Sequence, residues 1–270
     1  MQNRIDQTFA RLRAEGQKGF IAYIGAGDPD LPTMEKIVPA LEKAGVDLFE
    51  LGVPFSDPMA DGTVNQLAAQ RGLEAGTTLK GVLESVRRIR EQSQVPLVIY
   101  TYMNPVYRYG FEKFLRDAEE AGIDGVLFLD LPPDEDCGEF AVESPVHRIR
   151  LIAPTTPPAR IADLAQRASG FIYYVSQEGV TGERARLADT LAEGVAGIKA
   201  VTDLPVAVGF GISTPEHAAY VAQHADAVVV GSAIVKRIGE YGKDPDLLEK
   251  IAAFVRPLAA ATKGKAPSAA

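Results

Sequence analysis

Two acidic residues, Glu50 and Asp61, stand out for the company they keep. Glu50 lies inside an apolar run, 48–53, of the kind that forms a fully buried strand. A strand that buries a Glu must pair it, hydrogen-bond it or hold it protonated, because a bare carboxylate in an apolar interior is very costly. The run breaks at Pro54, and Ser56-Asp57-Pro58 and Ala60-Asp61-Gly62 follow with turn chemistry. One acid is thus expected on rigid backbone and the other, eleven residues on, on an adaptable loop. Such placement can give two acids different environments and different pKa values. The plainer alternative is a structural ion pair at Glu50 and a turn-shaping Asp61.

A second group of residues suits an anion. Ser176 to Gly182, Gly209-Phe210-Gly211-Ile212-Ser213 and Gly231-Ser232-Ala233 each follow a late apolar run. Glycines let backbone amides approach a phosphate, and a helix N-terminus adds unpaired N–H groups. One such turn alone would read as a tight turn; three in succession read as a phosphate cradle, with close helix–sheet packing as the alternative. The residues before Gly182 form a segment long enough for a lid.

Other chemistries find less support. Lys199 and Lys236 fall in helical patterns, not at a strand end where a Schiff-base lysine is needed. His147, His217 and His224 are scattered, which suits surface or packing roles better than zinc. Cys137 lies in a helical pattern and reads as inert. No G-x-G-x-x-G follows a strand. What remains is proton-transfer chemistry on a phosphorylated metabolite, needing neither metal nor organic cofactor.

The elements that must position these residues alternate along the chain. Strands are predicted at 19–24, 48–53, 96–100, 125–129, 148–152, 171–175, 205–208 and 227–230. Helical patterns occupy 4–14, 33–44, 79–90, 111–121, 134–142, 159–168, 187–201, 215–223, 233–238 and 245–261. Eight strands alternating with helices predict a single (β/α)8 barrel over 1–262, with an extra N-terminal helix, a short helix after strand eight and a disordered tail at 263–270. A doubly wound open sheet is the competitor. Ala44-Gly45-Val46-Asp47, Ala121-Gly122-Ile123-Asp124 and Ala225-Asp226 form a faint repeat at helix-to-strand joints, with glycine as the helix cap in two of them.

With 270 residues, 46% hydrophobic and 24% charged, the composition is that of a globular protein. A net charge of −8 gives no basic footprint for nucleic acid. The lone cysteine excludes an intrachain disulfide, and the start carries no signal-peptide pattern. A soluble, cytoplasmic protein is expected.

The chain resembles the tryptophan synthase alpha subunit family. The resemblance rests on Gly27-Asp28-Pro29, FELGVPFSDPMADG at 49–62, Tyr102-Met103-Asn104-Pro105, Tyr173 with Ser176 and the 179–182 loop, and the glycine turns at 208–213 and 231–235. The 49–62 segment is the specific part. Thr63 departs from the family, which usually has proline there. The resemblance implies retro-aldol cleavage of indole-3-glycerol phosphate to indole and glyceraldehyde 3-phosphate. It implies Glu50 as general acid–base and Asp61 as the carboxylate facing the indole N–H. It further implies Tyr102, Tyr173 and Thr181 at the substrate, and Gly182, Gly211, Gly231 and Ser232 at the phosphate. Phe210, Leu127, Leu129 and Tyr23 are candidates for the apolar wall, with core packing the stronger alternative for each. A beta subunit carrying pyridoxal phosphate is the implied partner in an α2β2 assembly, with Asp57 and Pro58 facing it and no cofactor in this chain. Two further readings stay open: a sugar-phosphate isomerase or epimerase on the same barrel, and a catalytically silent regulatory subunit.

Overall fold

In the computed structural model, which describes residues 2–132, 144–175, 184–209 and 211–264, the chain opens with α1 (Arg4–Ala14). Asn3 accepts from the Ile5 amide while Asp6 reaches back to the Asn3 amide, a capping box that satisfies two helix-end donors. Eight strands follow: β1 (Gly19–Gly25), β2 (Leu48–Gly52), β3 (Leu97–Thr101), β4 (Gly125–Phe128), β5 (His147–Ile152), β6 (Ile172–Val175), β7 (Val206–Gly209) and β8 (Ala227–Val230). Each pairs in parallel with the next, and β8 pairs with β1, so the sheet closes into a barrel and the open sheet is excluded. All eight lie within one residue of the positions that apolar runs predict.

The remaining helices are α2 (Leu31–Lys43), α3 (Thr63–Glu74), α4 (Leu79–Arg90), α5 (Met103–Tyr109), α6 (Phe111–Ala121), α7 (Pro158–Gln166), α8 (Arg184–Lys199), α9 (Pro215–Ala222), α10 (Ser232–Tyr241) and α11 (Leu247–Thr262). Three departures from the sequence reading have clear causes. α2 starts two residues early because Asp30 caps it, accepting from the Thr33 amide at 2.7 Å, and Pro32 suits the first turn. α3 is an unforeseen helix. Its buried residues are only Ala68 and Gly72, so it carries no apolar stripe to read. α5 is also unforeseen, seven residues long with Val106 alone buried. The helix predicted at 134–142 and the tail from 265 lie outside the described residues.

Alternation along each strand separates two apolar layers. Outward residues such as Phe20, Phe49, Ile99 and Val228 pack under the helices. Inward residues Ile21, Leu48, Val98, Leu127, Ile149, Phe171, Ala207 and Val229 fill the barrel. Ile5, Phe9 and Leu12 of α1 join this inner cluster and stopper the end where the strands begin, with the Phe9 and Phe171 rings 5.8 Å apart.

The faint repeat acquires a physical meaning at that same end. Asp47, Asp124 and Asp226 each stand just before an even-numbered strand. Each side chain accepts from the first or second amide of the preceding strand: Phe20 at 3.0 Å, Leu97 at 2.9 Å and Val206 at 3.0 Å. Each backbone amide donates back to the same residue's carbonyl. Ser169 does likewise with Arg148, at 2.9 Å in both directions. Four strand pairs are thus pinned alike at the end far from the expected chemistry, where barrel residues serve stability. Gly45 and Gly122 take positive φ (109° and 90°), as their capping role requires.

Thr63 stands at the first position of α3, after Gly62 in extended conformation (φ −72°, ψ 163°). Proline favours that helix position, and a residue before proline favours that extended shape. Thr63→Pro is therefore expected to fold normally and gain about 0.4–1 kcal/mol. Urea denaturation of both proteins measures the difference; a loss of stability would contradict it.

Candidate active site

Glu50 sits mid-strand in β2, in register between Tyr23 and Val98, and points into the barrel. It is 0% exposed, and among the described residues neither carboxyl oxygen has a hydrogen-bond partner. Of the three fates open to a buried Glu, only protonation remains. Burial pushes its pKa up to about 8, so it enters neutral solution carrying a proton it can give away.

Asp61 reaches the same end of the barrel from the loop that follows β2. The ladder continues one residue beyond the strand, with the Val53 amide donating to the Tyr100 carbonyl at 2.9 Å, before the chain leaves the sheet. Tyr102, at the end of β3, then holds the loop twice. Its hydroxyl accepts from the Ala60 amide at 2.9 Å and donates to Asp61 Oδ2 at 2.8 Å. Phe55 packs against the same ring at a tilt of 38°, centroids 5.2 Å apart. Burial raises the Asp61 pKa, opposed by Tyr102, Asn65 and Tyr100. One acid thus has no polar partner and the other has several, the asymmetry that separates proton donor from standing charge.

Tyrosines surround the pair. Tyr23 and Tyr100 meet edge to face with centroids 4.8 Å apart. Burial and the neighbouring acids hold Tyr23, Tyr100 and Tyr173 above the usual phenol range, so they stay neutral. Two inward glycines make room for them. A Cβ on Gly52 would lie 2.2 Å from the Tyr23 hydroxyl, and one on Gly209 would lie 2.2 Å from that of Tyr173.

The other end of α3 is tied down by an ion pair between a half-buried arginine and a buried aspartate. Arg71 grips Asp28, in the loop after β1, through two parallel bonds of 2.8 and 2.7 Å. Burial raises the Asp28 pKa, with Arg71 opposing.

Gly231 precedes α10, whose first turn has no side-chain cap, so its leading amides are available to an anion; Ser232 is its first residue. Gly211, after β7, has φ 68°, which only glycine adopts readily. Leu127 is fully buried in the inner cluster with the α1 stopper, a core position, while Leu129 lies half-buried just past β4. Thr181, Gly182, Phe210 and Cys137 lie outside the described residues. Asp57 is exposed and Pro58 half-buried on the loop, beside Met59, which is 81% exposed. Sequence reasoning passed over Tyr100, Asn65, Met59 and the Arg71–Asp28 pair. Inward parity on β3 was the available signal for Tyr100, whereas Asn65 sits on the helix that left no pattern.

A closed (β/α)8 barrel with a protonated acid on an inner strand and a second carboxyl on the loop above it is built for acid–base chemistry at its strand ends. A family model described as "Tryptophan synthase alpha chain" matches residues 9–263, and the chain belongs to that family. The tryptophan synthase alpha chain of Citrifermentans bemidjiense is 51% identical over 258 residues, covering 95% of this chain and 96% of that one. That of Opitutus terrae is 51% identical over 268 residues, covering 97% and 99%. Among solved structures, tryptophan synthase subunit alpha from Legionella pneumophila str. Paris matches with a TM-score of 0.86 and 39% identity, covering 97% and 99%. Mycobacterium tuberculosis tryptophan synthase matches at 0.87 and 37%, with the same coverage.

Proposed function

We propose that Glu50 and Asp61 carry out in this chain the tryptophan synthase alpha reaction, cleavage of indole-3-glycerol phosphate to indole and glyceraldehyde 3-phosphate. The observation that carries this reading is Glu50, fully buried, unpartnered and held protonated to about pH 8. Its proton goes to C3 of the indole ring, which makes the ring a leaving group because positive charge spreads onto the nitrogen. The Glu50 carboxylate so formed takes the proton of the substrate's adjacent hydroxyl as the carbon–carbon bond breaks to give the aldehyde. Protons balance and Glu50 is restored. Asp61, ionised, sits where the N–H becomes cationic and stabilises that charge through the transition state. Tyr102 orients Asp61, and Tyr173 lines the cavity beside Glu50.

In this reading the phosphate lies on the leading amides of α10 with Gly211 and Gly231 close by, and Gly182 and Ser232 complete the cradle. Thr181 and Phe210 face the substrate. An alpha chain implies a beta-subunit partner. The loop carrying Asp57, Pro58 and the exposed Met59 offers an apolar edge for it, with Tyr107 of α5, 75% exposed, beside the same strand ends. An α2β2 assembly, with pyridoxal phosphate held by the beta subunit alone, completes the reading. Among the described residues no helix is long and apolar enough to cross a membrane, which fits a cytoplasmic enzyme.

Incubating the purified chain with indole-3-glycerol phosphate and measuring free indole tests the reaction; no indole, with or without beta subunit, would overturn it. The cradle has its own test. Gly211→Val forces a branched side chain into left-handed backbone beside the phosphate, so glycerol 3-phosphate binding should weaken far more than indole binding. Calorimetric titration with both ligands reads this, and equal losses would place the phosphate elsewhere.

A further inference from the structure

The Asp61 carboxyl has more polar company than its one short hydrogen bond accounts for. A carboxylate offers about four acceptor positions, and Tyr102 fills one of them on Oδ2. Asp61 Oδ1 is buried with no hydrogen bond closed on it, and so is Asn65 Oδ1 in the first turn of α3, four residues later. Of the Asn65 amide it is the NH2 that can serve a carboxylate, and Asn65 acts on Asp61 in that sense, favouring its charged form. Tyr100 follows Glu50 around the barrel on the neighbouring strand, in register with Gly52. Its ring is fixed edge-on against Tyr23 at 4.8 Å. Val64 and Ala68 of α3 and Val235 of α10 pack about the two rings.

We propose that Tyr100 and Asn65 are positioning residues for Asp61, completing with Tyr102 a three-sided polar collar that keeps this buried carboxyl charged and turned toward the indole nitrogen. The inference rests on the reaction assigned above and adds to it how a loop acid stays ionised in a site dry enough to keep Glu50 protonated. Among the described residues the groups interacting with Asp61 are Tyr23 from β1, Tyr100 and Tyr102 from β3 and its end, and Asn65 from α3, while Glu50 of β2 meets the same Tyr23. Of these, Tyr100, Tyr102 and Asn65 favour its ionised form, with burial acting the other way. Neutral Glu50 and neutral Tyr23 place no competing charge beside it at neutral pH.

The test follows the Asp61 carboxyl itself, by carbon NMR of full-length protein labelled at the aspartate side-chain carboxyl, with Asp61→Asn identifying the signal. No substrate is present, so the readout is independent of the reaction. Tyr100→Phe and Asn65→Leu are each expected to move the Asp61 midpoint upward by about one pH unit, the size of one lost hydrogen bond to a charged group. The rising limb of kcat against pH should move with it. The falling limb, set by Glu50, should stay in place, and KM should change little. A purely structural role would lower kcat without moving the limb. Midpoints unmoved in both variants would overturn the collar. If Tyr100→Phe does not fold, Asn65→Leu, at a half-buried helix position, decides alone. A wild type that makes no indole would overturn the assigned reaction, while the NMR midpoints would still decide the collar.

Discussion

Glu50→Gln is expected to cut indole formation by ~10²–10⁴-fold, the usual contribution of a general acid–base, because an amide neither gives nor takes the proton. The same change should make the protein more stable in alkali. In the unfolded chain Glu50 loses its proton near the ordinary glutamate value of 4.5, whereas in the native barrel it keeps it to about 8. Between those values the native state binds the extra proton, so stability falls as pH rises through the window and levels off above it. At about 1.4 kcal/mol for each pH unit of that window, the penalty at pH 9 amounts to several kcal/mol. Gln, uncharged throughout, escapes it. Urea unfolding at pH 5 and pH 9 should show the variant's advantage only at the higher pH, alongside the lost turnover. A folded variant with near-normal turnover would remove Glu50 from the mechanism.

Asp61→Asn is expected to cost ~10²–10³-fold in kcat, the range for removing one aligned electrostatic contact to a developing charge. Asn keeps the shape and can still accept from the Tyr102 hydroxyl, so the loop should stay seated while the countercharge is gone. Glycerol 3-phosphate affinity should be nearly unchanged. The deficit should persist with saturating beta subunit, since a partner shifts the loop only through its preference for one loop state and supplies no charge at the nitrogen. Rates with and without partner, together with phosphate-ligand affinity, check this. Full rescue by the beta subunit would mean that Asp61 serves loop placement alone.

The barrel was readable because its strands are short, continuous apolar runs flanked by breakers, and parallel strands buried on both faces look like that. Glu50 was readable for the complementary reason, a charge where none should be. The regions that escaped had ordinary local chemistry. α3 packs small residues, Ala68 and Gly72, against the barrel, so close approach replaces the usual apolar stripe. Tyr100 reads as one more strand aromatic until barrel closure sets it against Tyr23. Asn65 gains its place only because α3 exists, and Arg71 reaches Asp28 across 43 residues of chain. Leu127 illustrates the converse. A leucine on an inward strand position can line a cavity or fill a core, and α1 decides by packing Ile5, Phe9 and Leu12 into the same cluster.

That stopper gives the barrel a dead end. Ile5, Phe9 and Leu12 fill that end beside Phe171, so among the described residues the site opens where the strands finish. The Asp61 loop forms part of its sill, tied to the barrel wall through the hydroxyl and ring of Tyr102. A beta subunit docked there, as proposed above, would receive what otherwise escapes to water. The far end contributes to hand-over by being shut.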